Sequence, residues 1–536
     1  MPKTTGLLLA LSFLASLCAL GFLIWAIARR QFTLSRRDAS TIFEPGETGT
    51  PDDTTAFGRA AAGSEAHRFD VIRERIDQAG RSTVLLMAAA ATFWLVLGSL
   101  FGVIASLKLH LPDWLSAYAP LTFGRVRTMH LNLVAYGWLS VAGIATAVWI
   151  IPRIFHTPLR HPRVALFGAM LWSIGVGLGV VAIAFGYTQG IEWLEMPWQV
   201  GLLLAVGGAC LAFALIVTAR HRKSHHIYVS GWYYLAALAW FPVLYVIANM
   251  PGLHAGVQQA TVNWWFAHNV LGLWLTPLGV GAAYYLIPKI VGQPVYSYSL
   301  SLLGFWGLAL FYSQVGIHHL IGAPVPTWLV TLSIVHSMMM FVPVIAVAVN
   351  QHTTVARNVW ALKQSVALRF VALGALTYTL ASFQGSIEAL RSVNSITHFT
   401  HYTVGHAHLG AYGFTSMVLF GAFYYMLPYL TGRDWPWPRL LKLHFWLVVG
   451  GFAIYFVGLS LGGMVQGMGL LEVGRSFEAV TRSTIPYLQA RSVGGILMTL
   501  GHLVFAFHIA ALLMGKGVPL AVSEHDEAVA LAGAAR

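Results

Sequence analysis

Long apolar runs dominate the chain, each about the length that crosses a bilayer once. A stretch of about 20 apolar residues spans the hydrocarbon core as a helix. Thirteen are present: residues 5–28, 83–108, 126–151, 163–187, 197–219, 229–250, 261–288, 297–321, 326–349, 370–387, 401–430, 443–468 and 490–514. The pattern predicts an all-α polytopic membrane helical bundle, with twelve helices in a core over residues 81–515 and one further transmembrane helix within residues 1–30. Residues 31–80 read as a polar linker, with Pro45, Gly46, Gly49 and Pro51 as breakers, and residues 516–536 as a C-terminal tail. A signal peptide is the competing reading of residues 1–28. No small-residue cleavage site precedes Arg29, Arg30, Arg36 and Arg37, which favours an uncleaved anchor.

Composition closes off the soluble alternative. Of 536 residues, 57% are hydrophobic and only 10% charged, whereas a soluble surface needs roughly a quarter charged. The net charge of +13 would suggest nucleic acid in a soluble protein. Here the bases lie in short loops, where topology explains them and lipid is the partner. Arg29–Arg37, Arg153–Arg163, Arg220–Lys223, Lys289, Arg357–Lys363 and Arg433–Lys442 share one side if all thirteen spans cross. The positive-inside rule then places the linker and C-terminal tail in the cytoplasm and the N-terminus outside. Arg475 and Arg482 are a mild exception, balanced by Glu472 and Glu478. The two cysteines, Cys18 and Cys210, form no CxxC or CxxCH, so a thiolate zinc site and covalent c-type haem are not expected on this chain.

The candidate chemistry lies in histidines. His130, His268, His406 and His408 fall near the outer starts of the second, sixth and tenth core spans, and His318 and His319 near the outer end of the seventh. Six ionisable residues at one depth are costly in a membrane and point to function. Imidazoles without thiolates suit haem iron and copper. His406 and His408 are two residues apart, hence about 200° apart on a helix, and would face two different cofactors. His318 and His319, about 100° apart, could serve one ion if the helix end is distorted. Tyr312, seven residues before His319, would lie on nearly the same face and about 10 Å deeper. Ser301 and Tyr298 continue that face inward as a hydroxyl track suited to protons. An interfacial belt tyrosine is the other reading of Tyr298.

These residues resemble the main subunit of the haem-copper oxidases, and specifically the C family, the cbb3-type cytochrome c oxidases. The resemblance covers roughly residues 83–515. It is carried by TVNWWFAHNVLGLWLTP around His268, YLIPK and PVYSYSLSLLGFW before Tyr312, HHL at His318–Leu320, and VNSITHFTHYTVGHAHLGAYGF around His406 and His408. It implies a twelve-helix oxidase core with two haems B and one copper ion. His268, His318 and His319 would hold copper, His406 the high-spin haem, and His130 and His408 the low-spin haem. Tyr312 matches the tyrosine that the C family places on its seventh helix and cross-links to the sixth-helix histidine. Other oxidase families carry it four residues after that histidine, where this chain has Gly272. The resemblance further implies that Arg127 pairs with haem propionates, that Glu192 and Glu195 border a bound calcium, and that Tyr298, Ser301 and Tyr312 lie on the proton route. It implies dioxygen as substrate, membrane-anchored c-type cytochrome subunits as electron-donating partners, and a bacterial inner (cytoplasmic) membrane with the metal sites towards the periplasm. Two departures stand out. FLIWAIARRQF resembles the small single-span protein that assists maturation of these oxidases, and His401-Tyr402 replaces a usual Asp-Trp pair.

The competing activity within this fold is nitric oxide reduction with non-haem iron in place of copper. Such enzymes need glutamates near the iron, typically just after the sixth-helix histidine. Residues Asn269, Val270, Leu271, Gly272, Leu273, Trp274, Leu275 and Thr276 supply none. A transporter is disfavoured because its site would lie at the midplane between inverted repeats, and no such repeats are visible.

Overall fold

A computed structural model of the chain describes residues 67–520, together with 17, 20–22, 24–31, 36–43 and 47–49. Most of the predicted N-terminal span (5–28), residues 50–66 of the linker and the tail from residue 521 lie outside the described residues. Among the described residues, twelve helices are long and apolar enough to cross a membrane. They are α1 (Ile72–Lys108), α2 (Phe123–Ile154), α3 (Pro162–Ala184), α4 (Trp198–Arg220), α5 (Val229–Ala248), α6 (Gly256–Val291), α7 (Tyr298–Leu320), α8 (Thr327–Ala356), α9 (Val366–Glu388), α10 (His401–Thr431), α11 (Arg439–Leu471) and α12 (Phe477–Leu513).

Each overlaps a predicted core span, and the largest differences lie at polar ends. The helix containing α1 begins at His67, inside the segment read as linker. Asp77 accounts for part of this, because its carboxylate takes a bidentate pair of hydrogen bonds from Arg153 at 2.8 and 2.5 Å. That guanidinium also lies over Trp149 at 4.1 Å and Tyr429 at 4.6 Å. α12 begins at Phe477 rather than near 490, started by the Ser476 hydroxyl accepting from Ala479 N at 3.1 Å and by the Glu478–Arg482 pair. Counting apolar residues measures what lipid requires, whereas a helix continues for as long as its polar side chains find partners.

Three spans form the inner ring. In α2, α6 and α10 the most apolar windows are 94%, 89% and 94% buried, against 61% or less in the other nine. Indole N–H groups, which need partners when buried, tie the ring together. Trp138 of α2 donates to Ser416 of α10 at 2.9 Å, and Trp274 of α6 donates to Ser140 of α2 at 2.9 Å. Each inner span also contains a π-helical stretch, at Leu133–Leu139, Leu271–Leu275 and Leu409–Ser416. These begin three residues after His130, three after His268 and one after His408. A π turn inserts one residue per turn and re-aims what precedes it, which is why such turns gather at functional positions.

Candidate metal centre

His268 projects from α6, while His318 and His319 come from the last part of α7. Here Tyr312–Leu320 is wound as a 3-10 helix, the distortion that adjacent ligands require. The three side chains each offer a ring nitrogen, and those atoms lie within 4.8 Å of one another. Ring centroids are 5.0 Å apart for His268–His318, 5.3 Å for His268–His319 and 4.5 Å for His318–His319. His268 Nδ1 is buried without a hydrogen-bond partner, so it could serve as a metal ligand. α8 orients His318. Ser337 donates its hydroxyl proton to Ser333 O at 2.8 Å, so at 3.1 Å from His318 Nδ1 it is left to accept. That arrangement leaves Nε2 of His318 for ligation. His319 is fixed by stacking on Trp264 at 4.2 Å.

Tyr312 departs from the helical-wheel expectation. In a 3-10 helix residues advance by about 120°, so Tyr312 and His319 do not share a face. The Tyr312 ring instead meets His268, with centroids 5.2 Å apart. It lies directly over Gly272, where a Cβ would fall 1.7 Å from Tyr312 Cε1. A tyrosine on α7 and a side chain at position 272 are therefore mutually exclusive in this packing.

Opposite this group stands His406. It lines a cavity together with His268, His318, Tyr312 and Tyr378. Its Nδ1 is likewise buried and unpartnered. His408 faces the other way, onto His130 of α2, with ring centroids 6.3 Å apart and planes within 12° of parallel. His130 Nδ1 is held by Gly98 O at 2.7 Å and His408 Nδ1 by Val404 O at 2.8 Å, so Nε2 is the ring nitrogen that could serve as a ligand in both. Tyr455 hydroxyl lies 3.1 Å from His408 Nε2 and would yield that position to an iron.

Beside His130, Arg127 pairs with Glu192 at 2.5 Å. Glu195 is buried and accepts from Asn132 Nδ2 at 3.0 Å, while its Oε1 has no partner. Burial pushes the Glu195 carboxyl up, opposed by the Asn132 hydrogen bond. Among the described residues, Glu192 and Glu195 do not join a third histidine, cysteine or acid in a group of metal-ion dimensions. At the other end of α7, Ser301 is fully buried and Tyr298 nearly so. Tyr298 is therefore not a belt residue; its hydroxyl meets His226 Nε2 at 2.5 Å. Its ring lies 5.8 Å from Tyr228, whose hydroxyl donates to Tyr284 O. Tyr378 lines the same cavity as Tyr312.

Several participants were not found in the sequence. Ser333 and Ser337 stand four apart in a largely apolar run and carry a visible signal. Glu388, which shares a small cavity with His318, His319, His398 and His406, is the lone acid at the end of its span. His226 and Tyr378 carry no signal apart from their neighbours.

The sequence matches the family described as "Cytochrome C and Quinol oxidase polypeptide I" over residues 82–497. A relative named cytochrome c oxidase subunit 1 homolog, from Agrobacterium tumefaciens (strain T37), is 33% identical over 80% of this chain and 82% of its own. The cbb3-type cytochrome c oxidase subunit CcoN1 of Stutzerimonas stutzeri is 30% identical over 83% of this chain and 95% of its own. A solved heme-copper terminal oxidase dimer shares the fold, with TM-score 0.67 at 18% identity over 81% of this chain and 84% of that one. The chain is a multi-pass membrane protein that belongs to the haem-copper oxidase family of subunit I polypeptides.

Proposed function

We propose that this chain is the catalytic subunit of a cbb3-type terminal oxidase that reduces dioxygen to water with electrons delivered by c-type cytochrome subunits. The observation that carries the reading is three imidazole nitrogens within 4.8 Å, with His268 and His318 lining the same cavity as His406 and the Tyr312 ring against His268. The donor set fits the implied groups. His268, His318 and His319 would hold copper, His406 a high-spin haem B, and His130 with His408 a low-spin haem B. Arg127 is the candidate propionate partner. Glu192 and Glu195 are kept as calcium ligands on the strength of the buried, unpartnered Glu195 Oε1. The haems and copper, when bound, supply the electron storage that four-electron chemistry requires.

The chain's own residues do the rest. Ser337 and Trp264 fix the ligand rings, so that little reorganisation accompanies a change of charge. Tyr312 holds a phenolic proton beside His268, in the cavity where dioxygen would bind. Tyr298 and Ser301 begin the buried hydroxyl route that returns protons to it, and the excess of protons moved makes the enzyme proton-translocating. Loop charge supports a bacterial inner-membrane location with the metal sites towards the periplasm, because Arg153, Arg220 and Lys289 terminate α2, α4 and α6 at the ends remote from the histidines. The nitric oxide reductase reading gains no support from the donor set, since Glu388 is not among the three grouped ligands.

The test is metal and haem analysis of the chain stripped of cytochrome partners, followed by oxygen consumption by the intact complex. One copper to two irons and two haems B, with rapid oxygen uptake from a reduced c-type donor, is the expected result. Three irons to two haems without copper would transfer the chain to the nitric oxide reductases.

A further inference from the structure

The stretch before α1 does not hang free of the bundle. Gln31 clamps the loop between α4 and α5, donating to His225 O at 3.2 Å and accepting from Ile227 N at 2.9 Å. His226 is bracketed by those two contacts. Further along, Glu47 pairs with Lys289 at the end of α6 at 2.7 Å and with Arg73, and Gly49 N donates to Gly292 O at 2.7 Å. Between these anchors the short helix Arg36–Ala39 presents Asp38, 9% exposed, with Oδ1 at 4.0 Å from His226 Nδ1.

We infer that this N-terminal arm supplies the proton-collecting group of the uptake route, with Asp38 passing protons through His226 to Tyr298. The inference rests on the oxidase reading above. His226 bridges two groups by its two nitrogens: Nε2 meets Tyr298 hydroxyl at 2.5 Å, and Nδ1 is buried with no hydrogen-bond partner and faces the carboxylate. A separation of 4.0 Å is closed by one bridging water or a small rotation. The Asp38 carboxylate takes a proton from water and gives it to Nδ1. Nε2 then releases its proton to the Tyr298 oxygen as Tyr298 sends its own inward, so His226 and Tyr298 return to neutrality. Imidazole suits this part because both nitrogens exchange protons near neutral pH. Burial holds His226 below its ordinary value, partly offset by Asp38, so the ring rests neutral between transfers. Among the described residues, the titratable side chains facing His226 are Asp38 on one side and Tyr298 on the other, with the Tyr228 phenol beyond Tyr298. Of the cations in the same loop, Arg222 has its guanidinium over Trp25 at 5.9 Å.

The test uses the complete complex, fully reduced and mixed with oxygen, with haem absorbance and a pH-indicator dye followed in one turnover. Asp38→Asn should leave the haem spectrum and the proton-independent phases unchanged while slowing dye-reported uptake about tenfold or more, and Asp38→Glu should restore it. Uptake at the native rate in Asp38→Asn overturns the inference, and so does failure of Asp38→Glu to recover it. Tyr298→Phe separates the levels. If it slows uptake while Asp38→Asn does not, the route stands and the arm's part in it falls. If the native complex consumes no oxygen from a reduced donor, the oxidase reading itself falls.

Discussion

Gly272→Ala adds one methyl group at the most crowded point of the site. A Cβ there would fall 1.7 Å from Tyr312 Cε1 and 1.8 Å from Cζ. Carbon atoms rest at about 3.5 Å or more, so the phenol must retreat by about 1.8 Å from its place beside His268. Overpacking of this kind costs about 1–3 kcal/mol, which a bundle of twelve helices tolerates. The reaction is less forgiving, because a misplacement of about 1 Å can cost on the order of 10²-fold in rate. Oxygen uptake from a reduced c-type donor should therefore fall about a hundredfold, with the optical spectra of both haems and the copper content retained. The double variant with Tyr312→Phe should be no slower than Tyr312→Phe alone, since both act through the same ring. A Gly272→Ala enzyme that turns over at the native rate would show that the position of Tyr312 against His268 does not matter to the chemistry.

His408→Ala should abolish the low-spin haem absorbance while copper stays bound, as measured by optical spectroscopy and metal analysis; an intact low-spin spectrum would refute the pairing with His130. Asp77→Asn leaves the buried Arg153 without its carboxylate and should destabilise the detergent-solubilised protein by about 3–5 kcal/mol, less what Trp149 and Tyr429 return, read as a lowered unfolding temperature. Glu195 gives a pH signature. Its carboxyl is raised by burial, so the stability it contributes is present at acid pH and is lost as pH rises through the folded-state value. In calcium-free buffer Glu195→Gln should raise the unfolding temperature at neutral pH and not at acid pH. Added calcium should stabilise the native protein and not the variant.

The crossing helices were legible because each must carry an apolar run, and the common depth of the six histidines followed from counting residues along those runs. What lay beyond the sequence was whatever depends on backbone steps other than 100° per residue. Tyr312 was placed towards His319 because α-helical geometry was applied to a stretch wound more tightly. The π turns after His130, His268 and His408 leave no trace in apolar periodicity. Long-range partners were also out of reach: Ser337 reaches His318 from a different helix, and Glu195 finds Asn132 across a loop. The helical extension over residues 67–80 reads as linker in the sequence because its polar residues suggest solvent, whereas Asp77 and Arg73 are committed to Arg153 and Glu47.

The burial of α10 has a consequence for how the protein is made. It is the least apolar of the twelve spans, and it carries His406, His408, Thr415 and Ser416 in its outer half. Such a segment gains little by lying alone in lipid, where unpaired polar groups are costly. It is sheltered by α9, already synthesised when it emerges, and by α11, which is not. Lodging of α10 in the membrane is therefore a collective event that waits on chain still to be translated. A chain cut after Thr431 should keep its first nine core spans inserted and fail to hold the tenth.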